Sequence, residues 1–322
     1  KFLLPAQIGA ALWIGRGVAA LWSYVPEADD RRQIVLRAAA GVALGAFVLG
    51  QIPALTALYN ESAYQRDDYR GIVQAILGDG AQNPAVIVSA QGQIEVVGYY
   101  AVRLGLDAPL IPLPFGMTVE EAPTVAAVQS TIATHDRLYG ILWGAEERDP
   151  TRLVERTLAS NAFQVDDRWF GAVRLARYGS SAEGESQVNG ADFEVEGGTI
   201  TLENFALTTD TIKAGDLLGV TLTWRADVAI PIPLVVTVQL LNLDGTLAAQ
   251  RDSQPVAGNR PTQTWNPGEI IVDRHGLMIP EGLAPAQYRL MVALYNPSDS
   301  NTRLPVDGSD ALILGEIRVS AN

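Results

Sequence analysis

The sequence predicts a mixed membrane protein with one or two N-terminal transmembrane helices, then a compact α/β domain, then an all-β sandwich. Three observations carry that expectation. An uncharged run lies near the N-terminus, helix and strand signals alternate through about residue 179, and short strand patterns without a helix fill the remainder.

The uncharged run is AAAGVALGAFVLGQIPALTALY, residues 38–59, with no charged side chain over 22 positions. A helix of that length rises about 33 Å, enough for a hydrocarbon core of about 30 Å. Residues 2–26 are also apolar, with Arg16 as their only charge. One arginine within a span costs a few kcal/mol and is accommodated by snorkelling or by facing other helices, so a second span is expected here. The link between them holds Glu27, Asp29 and Asp30 beside Arg31, Arg32 and Arg37. Basic residues decide orientation and acids count little, which makes the link cytoplasmic. Lys1 and everything after Tyr59 then lie on the extracytoplasmic side of the cytoplasmic membrane. The first residue is Lys1 and no cleavable signal pattern follows it, so the chain reads as the tail of a longer polypeptide.

Residues 60–179 form the expected extracytoplasmic α/β domain. Asp67 and Asp68 open a helix whose Ile72, Val73, Ile76 and Leu77 share one face, ended by Gly-Asp-Gly. PAVIVSA from Pro84 is a buried strand, GQIEVVGYYAVRLG a helix, APLIPLP a second apolar stretch, and residues 119–134 a third helix. RLYGILWG reads as a central strand. In DPTRLVERTLASNAF, Asp149 is the expected N-cap and Pro150 the first helical residue. WFGAVRLARYG closes the unit as one strand with exposed arginines.

Residues 180–189, essentially GSSAEGESQVN without its first glycine, are small and polar and read as a linker. From residue 190 to 322, TITLENFAL, LLGVTLTWRA, PLVVTVQLLN, TLAAQRD, EIIVDRHGLMI, QYRLMVALYN and ALILGEIRVS supply seven or eight strands. Asp244-Gly245 marks a hairpin. Strands at this spacing without helices suit a β-sandwich.

Charge and composition exclude several partners. A net charge of −13 and a pI near 4.6 argue against nucleic acid and against an extended anionic-lipid surface. The absence of cysteine removes disulfides and thiol-ligated metals. His135 and His275 stand far apart without a paired-ligand motif, and NPSDSNTR lacks EF-hand spacing, so no metal site is expected. Asp273-Arg274-His275 has no Ser or Cys nucleophile elbow beside it, and His275 reads as a hydrogen-bonding residue at a strand end. Asp67-Asp68 and Glu146-Glu147 sit where helix N-termini favour acids, so capping and solvation account for them. No catalytic residue is assigned.

Two places could contact a small molecule. SAQGQIEVVGYY puts a polar turn between a buried strand and a helix, where open α/β sheets bind ligands. It offers Gln91, Gln93 and Glu95 with Tyr99 and Tyr100 nearby, but neither a Gly-x-Gly-x-x-Gly fingerprint nor a P-loop lysine. In the β region, Trp224, Trp265, Tyr288 and Tyr295 could form an aromatic platform for glycan rings, but Trp224 and Tyr295 lie in apolar strand patterns that core packing explains, whereas Trp265, in the loop RPTQTWNPGE, is the expected exposed aromatic.

Several strings together carry a family resemblance. KFLLP, QRDDYRGIVQAIL, VIVSAQGQIEVVGYY, ILWGAEERDPTRLVERTLASNAF and WFGAVRLARY resemble the C-terminal part of bacterial GT-C membrane glycosyltransferases related to protein O-mannosyltransferases. VTVQLLNLDGTLAAQRDSQPVAGNRPTQTWNPGEIIVDRHGLMIP and YRLMVALYN look like the sandwich appended to some of them. The resemblance implies sugar transfer from a polyprenyl-phosphate-linked donor outside the cytoplasmic membrane. It places the essential acids in an early extracytoplasmic loop that nothing here matches, so the chain itself is expected to bind no cofactor and not to be catalytic alone. The expected partners are the lipid bilayer, a glycan or protein acceptor, and membrane-complex subunits. The alternative function is a non-enzymatic, membrane-anchored assembly or binding subunit of a larger membrane complex.

Overall fold

The computed structural model describes residues 3–23, 30–60, 67–89, 91–115, 119–299 and 302–321. The chain divides into two compact units, Lys1–Arg66 and Asp67–Asn322.

The first unit holds α1 (Leu3–Ser23) and α2 (Asp30–Asn60), which pack on each other. Arg37 Nε donates to the carbonyl of Trp22 at 3.4 Å, and its guanidinium lies 6.0 Å over that indole. The stretch Ile34–Pro53 of α2, 20 residues with mean hydropathy 1.7, is long and apolar enough to cross a bilayer. Its Val42 and Leu49 are exposed, so this helix is not the buried core of a globular unit. One N-terminal apolar helix of this kind is compatible with a membrane anchor or a signal sequence. Residues 24–29 of the expected cytoplasmic link, with Glu27 and Asp29, fall outside the described residues.

The second unit is mixed α/β. Asp68 accepts from Gly71 N at 2.8 Å and so caps α3 (Tyr69–Gly78), as expected for an acid at that position. There follow β1 (Pro84–Val88), α4 (Ile94–Leu104), β2 (Leu110–Pro112), α5 (Glu121–Thr134) and β3 (Arg137–Leu142). Strands β2, β1 and β3 are parallel neighbours in that order. Their side chains alternate between two apolar layers. Val86, Val88, Tyr139 and Ile141 face the α3 and α4 side with Ile72 and Val97. Ile87, Leu138 and Leu142 face α5 through Val128.

After a short helix α6 (Ala145–Arg148), the next long helix starts later than the sequence suggests. Helix α7 covers Leu153–Asn161, and Asp149 and Pro150 lie in the preceding turn. Asp149 still satisfies the helix start, because its carboxylate accepts from Leu153 N at 2.8 Å and Val154 N at 3.0 Å. The expected single closing strand is a hairpin, β4 (Phe163–Phe170) and β5 (Val173–Gly179). Gly171 makes the turn with φ +70°, a conformation that costs glycine little. Its arginines are not exposed: Arg174 and Arg177 are largely covered and ion-paired. Both reach carboxylates presented by neighbouring elements, which strand alternation alone does not reveal.

The remaining strands are β6 (Gln187–Val195), β7 (Gly198–Leu207), β8 (Thr211–Lys213), β9 (Leu217–Ala226), β10 (Val235–Leu241), β11 (Leu247–Ser253), β12 (Ile270–Met278), β13 (Ala286–Tyr295) and β14 (Leu312–Ser320). Residues 187–189, read as linker, begin β6. Asp244-Gly245 does join β10 to β11, with the Asp244 carboxylate accepting from Thr246 N at 2.9 Å. A five-stranded sheet, β11-β10-β13-β14-β8, faces β12, β9, β7 and β6 across one apolar layer. Val220, Leu222 and Trp224 come from one side, and Val236, Val238, Leu240, Leu290, Val292 and Leu294 from the other.

The α/β and all-β parts share a sheet. Its order is β2-β1-β3-β5-β4-β12-β9-β7-β6, and β4 meets β12 in parallel at Gln164 and His275. Gly276 permits this junction, because a Cβ there would stand 3.0 Å from the carbonyl oxygens of Phe163 and Gln164. His275 is therefore central in a strand rather than at its end. It is buried, with Nε2 2.6 Å from Asp273 Oδ2.

Candidate functional site

Strand β1 is followed by β2 on one side and, after α5, by β3 on the other. The connections leaving β1 and β3 therefore diverge, and a crevice opens beyond their carboxyl ends, the switch-point position at which open α/β sheets bind ligands. Ser89 N donates to Ile141 O at 2.8 Å and holds the two strand ends together at the floor. Above them lies a cleft of about 500 Å³, within the range of small-ligand sites.

The wall is built by β3's exit, α6, the turn before α7 and the β4–β5 hairpin. Trp143 and Trp169 supply indoles, Ser89 a hydroxyl, Glu146 and Glu147 carboxylates, and Arg152, Glu155 and Arg174 a charged network. Trp143 is half-buried and Trp169 is 67% exposed. Arg174 is fixed from three directions. It pairs with the buried Glu155, lies 3.3 Å from Asp167, and sits 6.0 Å over the Trp169 ring. Burial works against its charge, but Glu155 and then Asp167 outweigh that and raise its pKa, so it is a permanent cation. Arg152 Nε stands 3.4 Å from Glu155. Its backbone is left-handed at φ 52°, a conformation that costs a non-glycine residue about 1–3 kcal/mol and concentrates at functional positions.

This set has a defined chemical competence. Indole faces pack against the C–H faces of a sugar ring, while carboxylates accept from hydroxyls and a guanidinium donates to them. Among the described residues no group of three or more His, Asp or Glu is placed to hold a metal ion.

The residues favoured by sequence are dispersed relative to this cleft. Gln93 accepts from Tyr69 OH at 2.6 Å, which ties α3 to the start of α4. Glu95 is exposed, and Tyr99, also exposed, packs edge-on against Tyr100 at 5.1 Å and accepts from Arg103 at 3.3 Å. The Gln91 side chain lies outside the described residues. Trp265 is a correction: it is 3% exposed, and its Nε1 donates to the carbonyl of Arg260 at 2.9 Å. A Pro- and Gly-rich loop predicts solvent, but here the loop folds back over the apolar layer and uses the indole as its anchor. Trp224 is buried as expected, Tyr295, also expected in the core, is only half-buried, and Tyr288 is buried rather than part of an exposed platform. Sequence reasoning missed Ser89, Trp143, Trp169, Glu155 and Arg174. The available signal was the tryptophan, glycine and acids directly after a central strand, in ILWGAEERDP.

No family model matches the chain, and no curated protein does. Solved structures with local likeness include the C-terminal domain of Wzt, at 11% identity and TM-score 0.29, covering 43% of this chain and 75% of that one. The CARDB domain of a Pyrococcus furiosus protein is 13% identical with TM-score 0.24, covering 37% and 90%. A Bacteroides uniformis β-glucuronidase is 14% identical with TM-score 0.24, covering 47% and 16%. At such scores these likenesses carry no argument about function.

Proposed function

We propose that the chain is the membrane-anchored, extracytoplasmic C-terminal region of a polyprenyl-phosphate-sugar-dependent glycosyltransferase, and that its second unit receives a glycan without itself catalysing transfer. The all-β part, read as a sandwich, supports the α/β part through their shared sheet. The observation that carries the reading is the switch-point cleft with Trp143 and Trp169 on its wall and Ser89 at its floor. The sequence resemblance supplies the reaction class, and α2 supplies the anchor.

Binding tests the reading. With the full chain in a lipid nanodisc, calorimetric titration with a neutral oligosaccharide gives a saturable isotherm, and Trp169→Ala weakens it about tenfold, the scale of one lost aromatic contact. Equal affinity in the variant contradicts the role given to the indole. The wild-type chain has no cysteine, so orientation is readable from single substitutions. Ser186→Cys is labelled by a membrane-impermeant maleimide in intact cells, and Ala28→Cys only after permeabilisation. The opposite pattern reverses the proposed topology.

A further inference from the structure

Resting on the glycan-receiving reading above, the cleft's charge accounting narrows the class of sugar. Four carboxylates, Glu146, Glu147, Asp149 and Glu155, line it against two guanidiniums, Arg152 and Arg174. They are not equivalent. Asp149 is buried and committed to two backbone N–H groups of α7. Glu155 is buried between Arg152 and Arg174, and Arg174 also meets Asp167. Both cations are thereby neutralised by carboxylates of the protein. Glu146 and Glu147 are exposed on α6 and make no ion pair among the described residues. The open charge of the cleft is therefore negative, and it lies beside the indoles that would hold the ring.

We propose that the cleft selects by charge, admitting a neutral or amine-bearing saccharide and discriminating against a uronic acid. Trp143 and Trp169 supply sequence-independent affinity for the ring, and Glu146 and Glu147 supply the sign. The guanidinium of Arg174 offers an acidic sugar no net positive charge, because Glu155 and Asp167 already neutralise it. The same field turns a phosphate away. The cleft accordingly takes the acceptor's sugar rather than the phosphate of a lipid-linked donor.

A matched ligand set decides this: methyl glucoside, its 2-amino counterpart and methyl glucuronoside, titrated by NMR against the full chain at about pH 6.5, where the amine of one sugar and the carboxyl group of the other are charged. The glucoside and the amino sugar bind, and the glucuronoside binds roughly threefold to tenfold more weakly, as expected for one or two nearby charges near a protein surface. The Glu146→Gln, Glu147→Gln double variant closes that gap, bringing the ratio of glucoside to glucuronoside affinity close to one, and about 1 M salt shrinks it by screening. A glucuronoside that binds as tightly as the glucoside overturns the charge selection and leaves the glycan reading standing. Failure of all three ligands to bind overturns both.

Discussion

Replacing Asp79 by alanine lowers the stability of the second unit by about 3–5 kcal/mol, the range for removing one partner of a buried ion pair. Asp79 follows α3 and is nearly buried, yet it serves three groups of two strands. Arg137 Nε lies 3.4 Å away, Arg177 donates to it, and Tyr139 OH donates at 2.5 Å. Without it, two largely buried guanidiniums lose a counter-charge and a fully buried phenol loses its acceptor. Burial, then the hydrogen bond to Asp79, raises the Tyr139 pKa, so the phenol is neutral and acts as a donor. Urea unfolding checks the effect through a lower midpoint at unchanged slope. Tyr139→Phe should cost less, about 1.5–3 kcal/mol, because it removes one hydrogen bond to the Asp79 carboxylate and leaves the ion pairs. A loss under about 1 kcal/mol in Asp79→Ala contradicts the network's structural role.

The network also fixes the sign of an acid response. Asp166 accepts from Arg177 Nε at 2.6 Å and from its Nη2. Burial opposes its charge, but hydrogen bonding and attraction from Arg177, helped by Arg168, prevail and lower its pKa below the ordinary 3.8. A depressed carboxylate contributes fully above its unfolded value and loses that contribution as pH falls through the folded one. Stability from this pair is therefore flat at neutral pH and declines below about pH 4.

Trp224→Ala costs the all-β part about 3–5 kcal/mol. Trp224 is wholly buried between the facing sheets and packs edge-on against Phe193, with centroids 5.6 Å apart at 71°. Its Nε1 is buried with no hydrogen-bond partner among the described residues. The indole consequently contributes volume and apolar contact, and Trp224→Phe should lose much less than Trp224→Ala. Comparable losses in the two variants would mean that the indole nitrogen has a partner that matters. Because one sheet runs through both parts of this unit, cooperative unfolding should report Asp79→Ala and Trp224→Ala in a single transition.

Sequence patterns predicted elements well where periodicity and caps agree. The Asp68 cap, the β1 and β3 strands, the Asp244-Gly245 hairpin and the burial of Trp224 all follow from local rules. The shared sheet was hidden, because the polar stretch before β6 resembles a break and the β4–β12 pairing joins residues more than a hundred positions apart. Trp265 and Arg174 show the same limitation at single positions. A loop tryptophan can be an anchor, and a strand arginine can be covered by carboxylates from other elements. At the candidate site, sequence located the exit of β1 but pointed past it, to Gln93 just before the next helix and to Glu95 and Tyr99 on it. The cleft takes Ser89 from that exit and most of its wall from β3, α6 and the hairpin, a convergence that only the crossover from β2 to β3 creates.

The most direct test is to find where a neutral oligosaccharide binds on the full chain, using the indole N–H resonances of its six tryptophans. Trp143 and Trp169 are expected to shift together on titration while the buried Trp224 and Trp265 stay fixed. Saturable binding that leaves Trp143 and Trp169 unmoved would contradict that expectation.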